Sequence, residues 1–326
     1  MTIDHADQTD RADQGVQEGH AVTPSVATKP PRSAALRSSV LVRAARTRKG
    51  MAGLGLVSLI VGIAVFGPFF SPDDPTALGG LPFGGPNAQH LLGTDELGRD
   101  VLSRVLHGGL ELIVIAAIAA ALAVVVGGLL GLVAAYYGGV VDTVIMRICD
   151  VLLSFPQLIF VLLIVSILGF ATWLLVLSVA VSQAPALIRV MRSAALEVRE
   201  KDFVRAVQLW RPSGLKVILG EITPNVSGPF LVEAGLRLTY SIIVIAGVSF
   251  LGLGLQAPSP NWGLMISENR IGIAANPWSV AVPAALIAVL TVGVNMFTDA
   301  ISSVILRGSG HHLILNAAFN IDTSVA

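Results

Sequence analysis

The chain has 326 residues, of which 54% are hydrophobic and 13% charged, with a formal net charge of zero. Soluble domains carry about a quarter charged residues, so the composition excludes an ordinary soluble protein and indicates one embedded in a membrane. The neutral balance gives no overall field to favour nucleic acid, and the single cysteine, Cys149, excludes an internal disulfide and a cysteine metal cluster.

Residues 1–50 read as a disordered tail. Asp4, Asp7, Asp10, Asp13 and Glu18 make its start acidic; Lys29, Arg32, Arg37, Arg43, Arg46, Arg48 and Lys49 make its end basic. Few apolar side chains are present to offset the entropy of ordering. No basic stretch leads into an apolar run at the start, so it is not a cleavable secretory signal. The basic half either lies on anionic lipid headgroups or only fixes the topology.

Six apolar spans follow, near 51–70, 110–136, 146–169, 172–190, 228–252 and 279–304. A helix needs about 20 residues to cross the hydrocarbon of a bilayer. After the first span comes a long Pro- and Gly-rich outer loop, 71–109, in which Thr94 is expected to cap a helix opening with Asp95 and Glu96. In the second span, the spacing of Gly127 and Gly131 permits close helix approach. The third span carries Arg147 and Asp150 at its start. Pro156 and Pro185 are expected to interrupt the third and fourth spans, freeing backbone groups that survive only against protein or a water-filled cavity.

The segment 189–225 is polar and charged between apolar runs. Phe203, Ala206, Val207 and Trp210 fall at i, i+3, i+4, i+7, and Leu215, Ile218, Leu219 and Ile222 repeat the pattern, so each set predicts one apolar helix face. Arg211-Pro212-Ser213-Gly214 separates the two helices, and Thr223-Pro224-Asn225 is expected to stop the second. Such a helix–turn–helix either docks into a groove on a partner protein or caps the bundle as an ordinary surface loop.

In the fifth span, Glu233 and Arg237 stand four apart and can pair on one helix face. Charges within spans are costly; this pair is either a gate or pore-lining element or a mutually neutralised pair facing a neighbouring helix. The outer loop 253–278 holds Gln256 to Gly263, a turn expected to place Trp262 at headgroup level. Asp299 reaches the interface near the inner end of the last span. The tail 307–326 shows no clear pattern, and its His311-His312 pair reads as chance.

Of the 21 Lys and Arg residues, the outer loops hold only Arg99, Arg104 and Arg270 when the N-terminus is inside. That bias predicts a cytoplasmic N-terminus, 189–225 loop and C-terminus. There is no Gly-x-x-x-x-Gly-Lys-Ser/Thr phosphate loop and no His-Glu-x-x-His; Gly252-x-Gly254 lacks a third glycine and follows a span. The chain is therefore expected to lack ATP hydrolysis of its own, catalytic residues and a metal site.

Four stretches carry a resemblance. They are Leu92 to Arg104; Ala135-Tyr136-Tyr137-Gly138-Gly139 through Asp142, Met146-Arg147, Asp150 and Phe155-Pro156; Ser249 to Pro258 with Asn261-Trp262-Gly263; and the 189–225 segment. In this order, over roughly 50–306, the chain resembles the permease subunits of bacterial dipeptide/oligopeptide ABC importers, in the branch that also serves nickel. The resemblance implies an all-α membrane protein of the type I ABC importer permease fold with six transmembrane helices. A first helix and outer loop at 51–109 would precede a permease core at 110–306. It implies a multi-pass protein of the bacterial plasma (inner) membrane, partnered in the lipid bilayer by a second homologous permease. Two ATP-binding cassette subunits that hold ATP and Mg, and an extracytoplasmic solute-binding protein, complete the implied machine. No cofactor is expected in this chain.

The family's coupling loop usually reads Glu-Ala-Ala, three residues, then Gly. Here the resembling residues are Asp202, Phe203, Val204, Arg205, Ala206, Val207, Gln208, Leu209 and Trp210, the implied ATPase contact. Ala206, Ile222, Pro224 and Asn225 match. Arg205 replaces Glu, Val207 replaces Ala, Arg211 replaces Gly and Thr223 replaces Leu, while Ile245 stands for a glutamate often found in the fifth span. Import of nickel, haem or another small solute, and a self-sufficient ion-coupled transporter, are the alternative readings.

Overall fold

A computed structural model describes residues 40–202, 204, 207 and 213–322, and of 307–322 the backbone alone. The named elements among the described residues are all helical. Helix α1 (Arg48–Phe66) starts where Thr47 accepts a hydrogen bond from the Gly50 N–H at 3.0 Å, satisfying one of the free N–H groups of the first turn. It ends in a single 3₁₀ turn, Gly67–Phe70. After the outer segment come α2 (Val101–His107), α3 (Gly109–Tyr137), α4 (Gly139–Leu153), α5 (Gln157–Leu168) and α6 (Thr172–Arg199). Then follow a short α7 (Gly214–Val217), α8 (Ser227–Phe250), α9 (Trp262–Asn269) and α10 (Trp278–Asp322).

Among the described residues, five stretches are long and apolar enough to cross a membrane: Arg48–Phe70, Val101–Tyr137, Thr172–Arg199, Ser227–Phe250 and Trp278–Leu306. The pair α4 and α5 makes a sixth if taken as one span, but its two helices meet at 85°. In place of the single straight third span expected at 146–169 there is this bent pair, and its first helix begins earlier, at Gly139. Gly138 and Gly139 take φ of +63° and +52°, a conformation that costs a side chain dear and that lets α3 hand over to α4. The break falls at Ser154-Phe155-Pro156. Proline cannot donate to the helix ladder and disfavours helical φ/ψ in the residue before it.

Pro185 behaves otherwise. It is buried within α6, which runs from Thr172 to Arg199 without a break, so the expected interruption of the fourth span does not occur. Packing holds this helix together. Gly127 and Gly131 bring α3 against α6 so closely that a Cβ at Gly131 would lie 2.7 Å from the Ile188 carbonyl oxygen, and one at Gly127 3.1 Å from that of Ala184. Between helices in lipid there is no hydrophobic driving force, so close van der Waals contact of this kind carries the association. The α3–α6 pair packs on α8, α8 on α10, and α10 on α1. Ile60, Leu112, Val179, Ile245, Trp262 and Leu290 meet in the main core.

The segment 71–100, expected to lie outside, is folded onto this bundle. Thr94 is not a helix cap: its hydroxyl accepts from the Gly84 N–H at 2.8 Å and donates to the Leu81 carbonyl at 2.5 Å. Gly93 and Gly98, both at positive φ, turn the chain back on itself, and the cap passes to Asp100, whose carboxylate accepts from the Ser103 N–H at 2.7 Å. Trp262, expected at headgroup level, faces the protein interior. It is fully buried, its ring lies beside Gly109, and its indole N–H donates to the Val105 carbonyl at 2.8 Å. A buried indole needs that acceptor, and the end of α2 supplies it.

Candidate functional site

The segment after α6 is the first candidate. Of the residues singled out there, Phe203, Arg205, Ala206, Gln208, Leu209 and Trp210, with Arg211 and Pro212, lie outside the described residues. Asp202 is exposed, Val204 fully buried and Val207 half-buried. Val204 joins Val217, Ile218, Ile222 and Val226 in a cluster with Leu132, Ala135, Leu187, Met191, Ala195 and Val198 from the ends of α3 and α6. Arg199 closes the same corner by donating from Nη1 to the Ala135 carbonyl at 2.7 Å. One face of the elbow is therefore seated on the bundle.

The second amphipathic segment does not follow the expected stripe. Ile218 and Ile222 are buried, whereas Leu215 is 65% exposed and Leu219 50%. After α7 the chain forms a π turn, Ile218–Ile222, in which the Thr223 N–H bonds to the Ile218 carbonyl. The extra residue per turn rotates i and i+3 away from each other. Pro224 then continues rather than stops the segment. It sits in the first turn of Thr223–Asn225, where a missing N–H costs nothing, and α8 starts at Ser227. The result is an elbow with two inward isoleucines and two outward leucines.

Two ion pairs brace the helices above it. Arg192 on α6 grips Asp142 on α4 through Nε and Nη2, both at 2.5 Å, the bidentate geometry that makes such pairs strong. Arg189 reaches Asp150 at 2.5 Å. The start of α4 is thus tied to the same helix that leads into the elbow.

The second candidate is the pair on α8. Arg237 donates to Glu233 Oε2 from Nη2 at 2.6 Å and from Nε at 3.2 Å. Both residues are buried, at 8% and 9% exposure. Arg237 Nη1 points to the Gln183 carbonyl at 3.5 Å, and the guanidinium lies 5.6 Å from the ring centre of Tyr240, which is 47% exposed. Gln183 in turn donates to the Ser241 hydroxyl at 2.8 Å. The charges are neutralised within one helix, and a buried pair of this kind roughly breaks even against its desolvation cost.

A third cluster escaped the sequence reading. Asp95, Arg99, Arg104 and Glu268 form a buried network. Arg99 Nε and Arg104 Nη1 both reach Asp95 Oδ2, at 2.6 and 2.5 Å, and Arg104 Nη1 also reaches Glu268 Oε2 at 2.7 Å. Asn269 accepts from the Glu96 N–H at 3.1 Å, and Asn276 donates to the carbonyls of Leu92 and Thr94. Burial, and then repulsion from Glu268, raise the Glu96 carboxyl above its ordinary value. Asp95, Arg99 and Arg104 are near one another in sequence, but Glu268, Asn269 and Asn276 come from more than 160 residues away and leave no local spacing to read. The segment before α2 and the one around α9 are bound into one folded cap.

A family model described as "Binding-protein-dependent transport system inner membrane component" matches residues 124–307. The chain is similar to the dipeptide transport system permease protein DppC of Alkalihalophilus pseudofirmus, 33% identical over 78% of this chain and 84% of that one. It is also similar to the protein of the same name from Haemophilus influenzae, at 32% over 78% and 89%. The probable D,D-dipeptide transport system permease protein DdpC of Escherichia coli matches at 35% over 76% and 83%.

Proposed function

The chain belongs to the family of inner-membrane components of binding-protein-dependent transport systems, and on that premise we propose that it is the permease subunit of an ATP-driven importer of dipeptides or oligopeptides. It is a multi-pass protein of the bacterial inner membrane. The observation that carries the cargo is that the three relatives named above bear dipeptide names and each align with more than three quarters of this chain. That favours a peptide over nickel, haem or another small solute. Family membership weighs equally against a self-sufficient ion-coupled transporter.

In this reading the chain lines a translocation pathway together with a second permease. Two cytoplasmic ATPase subunits bind ATP and Mg and carry out the hydrolysis, and a solute-binding protein delivers the peptide to the outer cap. The Lys and Arg bias supports cytoplasmic placement of both termini and of the elbow. Closure of the ATPase dimer pushes on residues 202–210 and on the outward Leu215 and Leu219. Val204, Ile218 and Ile222, seated under α3 and α6, pass that push to the bundle, which rocks between inward- and outward-open forms. Glu233 and Arg237, beside the exposed Tyr240, form a charged station on the pathway side of α8.

Co-expression with the neighbouring ATPase and permease genes tests the reading. The four-part complex copurifies and takes up radiolabelled dipeptide in an ATP-dependent manner when the binding protein is added. Uptake of nickel or haem in place of peptide would overturn the cargo. A chain that purifies without ATPases yet transports would overturn the class.

A further inference from the structure

The outer segment assembles three metal-ligating side chains that no local motif announces. Asp73, His90 and Asp100 each place a ligand atom within 4.8 Å of the other two. All three line one cavity of about 390 Å³, whose other walls are Pro72, Ala77, Gly79 and Gln89. We propose that this is a binding site for a single divalent transition cation of the zinc class, one that staples residue 73 to the base of the outer cap. The proposal stands apart from the transport reading.

The geometry supports it at each ligand. His90 Nδ1 and Asp100 Oδ1 are 3.1 Å apart. Two atoms each about 2.1 Å from one ion sit roughly that far from each other, so a cation can replace the shared proton with little movement. Asp100 is aimed for the task. Its Oδ2 is held by the Ser103 N–H and hydroxyl, both at 2.7 Å, which leaves Oδ1 turned to His90. The same Ser103 hydroxyl accepts from the Asp73 N–H at 3.1 Å and fixes the backbone beside the third ligand. The His90 backbone N–H donates to Asn87 Oδ1 at 2.8 Å and fixes the chain that carries the imidazole. Outer groups that orient ligands in this way are a regular feature of metal sites.

The charge argues in the same direction. Two carboxylates line the cavity and no lysine or arginine does, so a divalent cation supplies the missing positive charge. One imidazole and two carboxylates, without a thiolate, suit the borderline divalent metals rather than the soft ones. The roomy cavity leaves coordination positions for water. No metal site is expected from short motifs, because the ligands Asp73, His90 and Asp100 lie 17 and 10 residues apart in an irregular segment.

The test is a titration of the full-length chain, in detergent and without a histidine tag, with His311 and His312 replaced by Gln to remove the terminal pair. Zinc is followed by calorimetry and cobalt by its visible absorption. The expected result is one tight equivalent of zinc and a visible cobalt spectrum. Both are lost or weakened tenfold or more in Asp73→Asn, whose exposed side chain leaves the metal-free melting temperature unchanged. His90→Gln abolishes the same equivalent. Absence of a one-equivalent site, or a site that persists unchanged in both variants, would overturn the proposal.

Discussion

Leu219 and Ile222 stand three residues apart, yet Leu219 is half exposed while Ile222 is fully buried. The π turn between Ile218 and Ile222 separates them. One side of the elbow is therefore committed to this chain, and the other is free for a partner. The two sides make different predictions.

Leu219→Asp leaves expression, membrane insertion and melting temperature of the purified chain unchanged, because the side chain contributes little to the fold. It reduces the peptide-stimulated ATPase rate of the assembled complex at least tenfold. Ile222→Ala removes a buried side chain and costs about 2–5 kcal/mol, seen as a lower melting temperature before any ATPase is present. Equal behaviour of the two variants would mean that the elbow has no free side.

Gly131→Leu drives a side chain into the Ile188 carbonyl and the Met191 side chain, since even a Cβ there would lie 2.7–2.8 Å from them. The α3–α6 seam must open. The variant should insert but melt lower and be cut faster by protease at the elbow, while Gly55→Leu, whose Cβ meets nothing within 4 Å, should behave as wild type.

Asp95→Asn leaves Glu268 alone to balance Arg99 and Arg104 in a buried site. Removing one partner of a buried pair costs about 3–5 kcal/mol. The outer cap should loosen from α9, and limited proteolysis should cut within 71–100 while the transmembrane fragments stay intact.

Glu96 gives a pH dependence of known sign. Its carboxyl is raised above the ordinary value of 4.5 by burial and by Glu268, so the folded chain holds this proton more tightly than the unfolded one. Its contribution is favourable at low pH and is lost as pH rises through the raised value. Glu96→Gln, neutral throughout, should melt higher than wild type at neutral pH and equally near pH 4. Lower melting at neutral pH would contradict the assigned cause.

The spans were legible because a run of about 20 apolar residues has few other uses. The spacing of Gly127 and Gly131 permitted a tight seam, since two small residues four apart let a neighbouring helix approach closely, and the seam is there. What failed were inferences about direction. Thr94, Trp262 and Leu219 were each assigned a facing from neighbours in sequence, and each facing is set instead by a distant or irregular contact: Gly84 and Leu81, Val105, and the π turn. Pro156 and Pro185 look alike in sequence. One breaks its helix and the other does not: Pro185 is buried within an unbroken α6, while Pro156 follows residues that are exposed. In the cap network, Asp95 and Arg99 stand four apart, but nothing local in sequence joins them to Glu268.

The most direct test of an energy source outside this polypeptide is reconstitution of the purified chain into liposomes, alone and with its second permease, ATPases and solute-binding protein, with ATP and labelled dipeptide. The chain alone should concentrate nothing, and the full assembly should accumulate peptide only while Leu219 is intact. Uphill uptake by the chain alone, or full uptake by an assembly carrying Leu219→Asp, would contradict it.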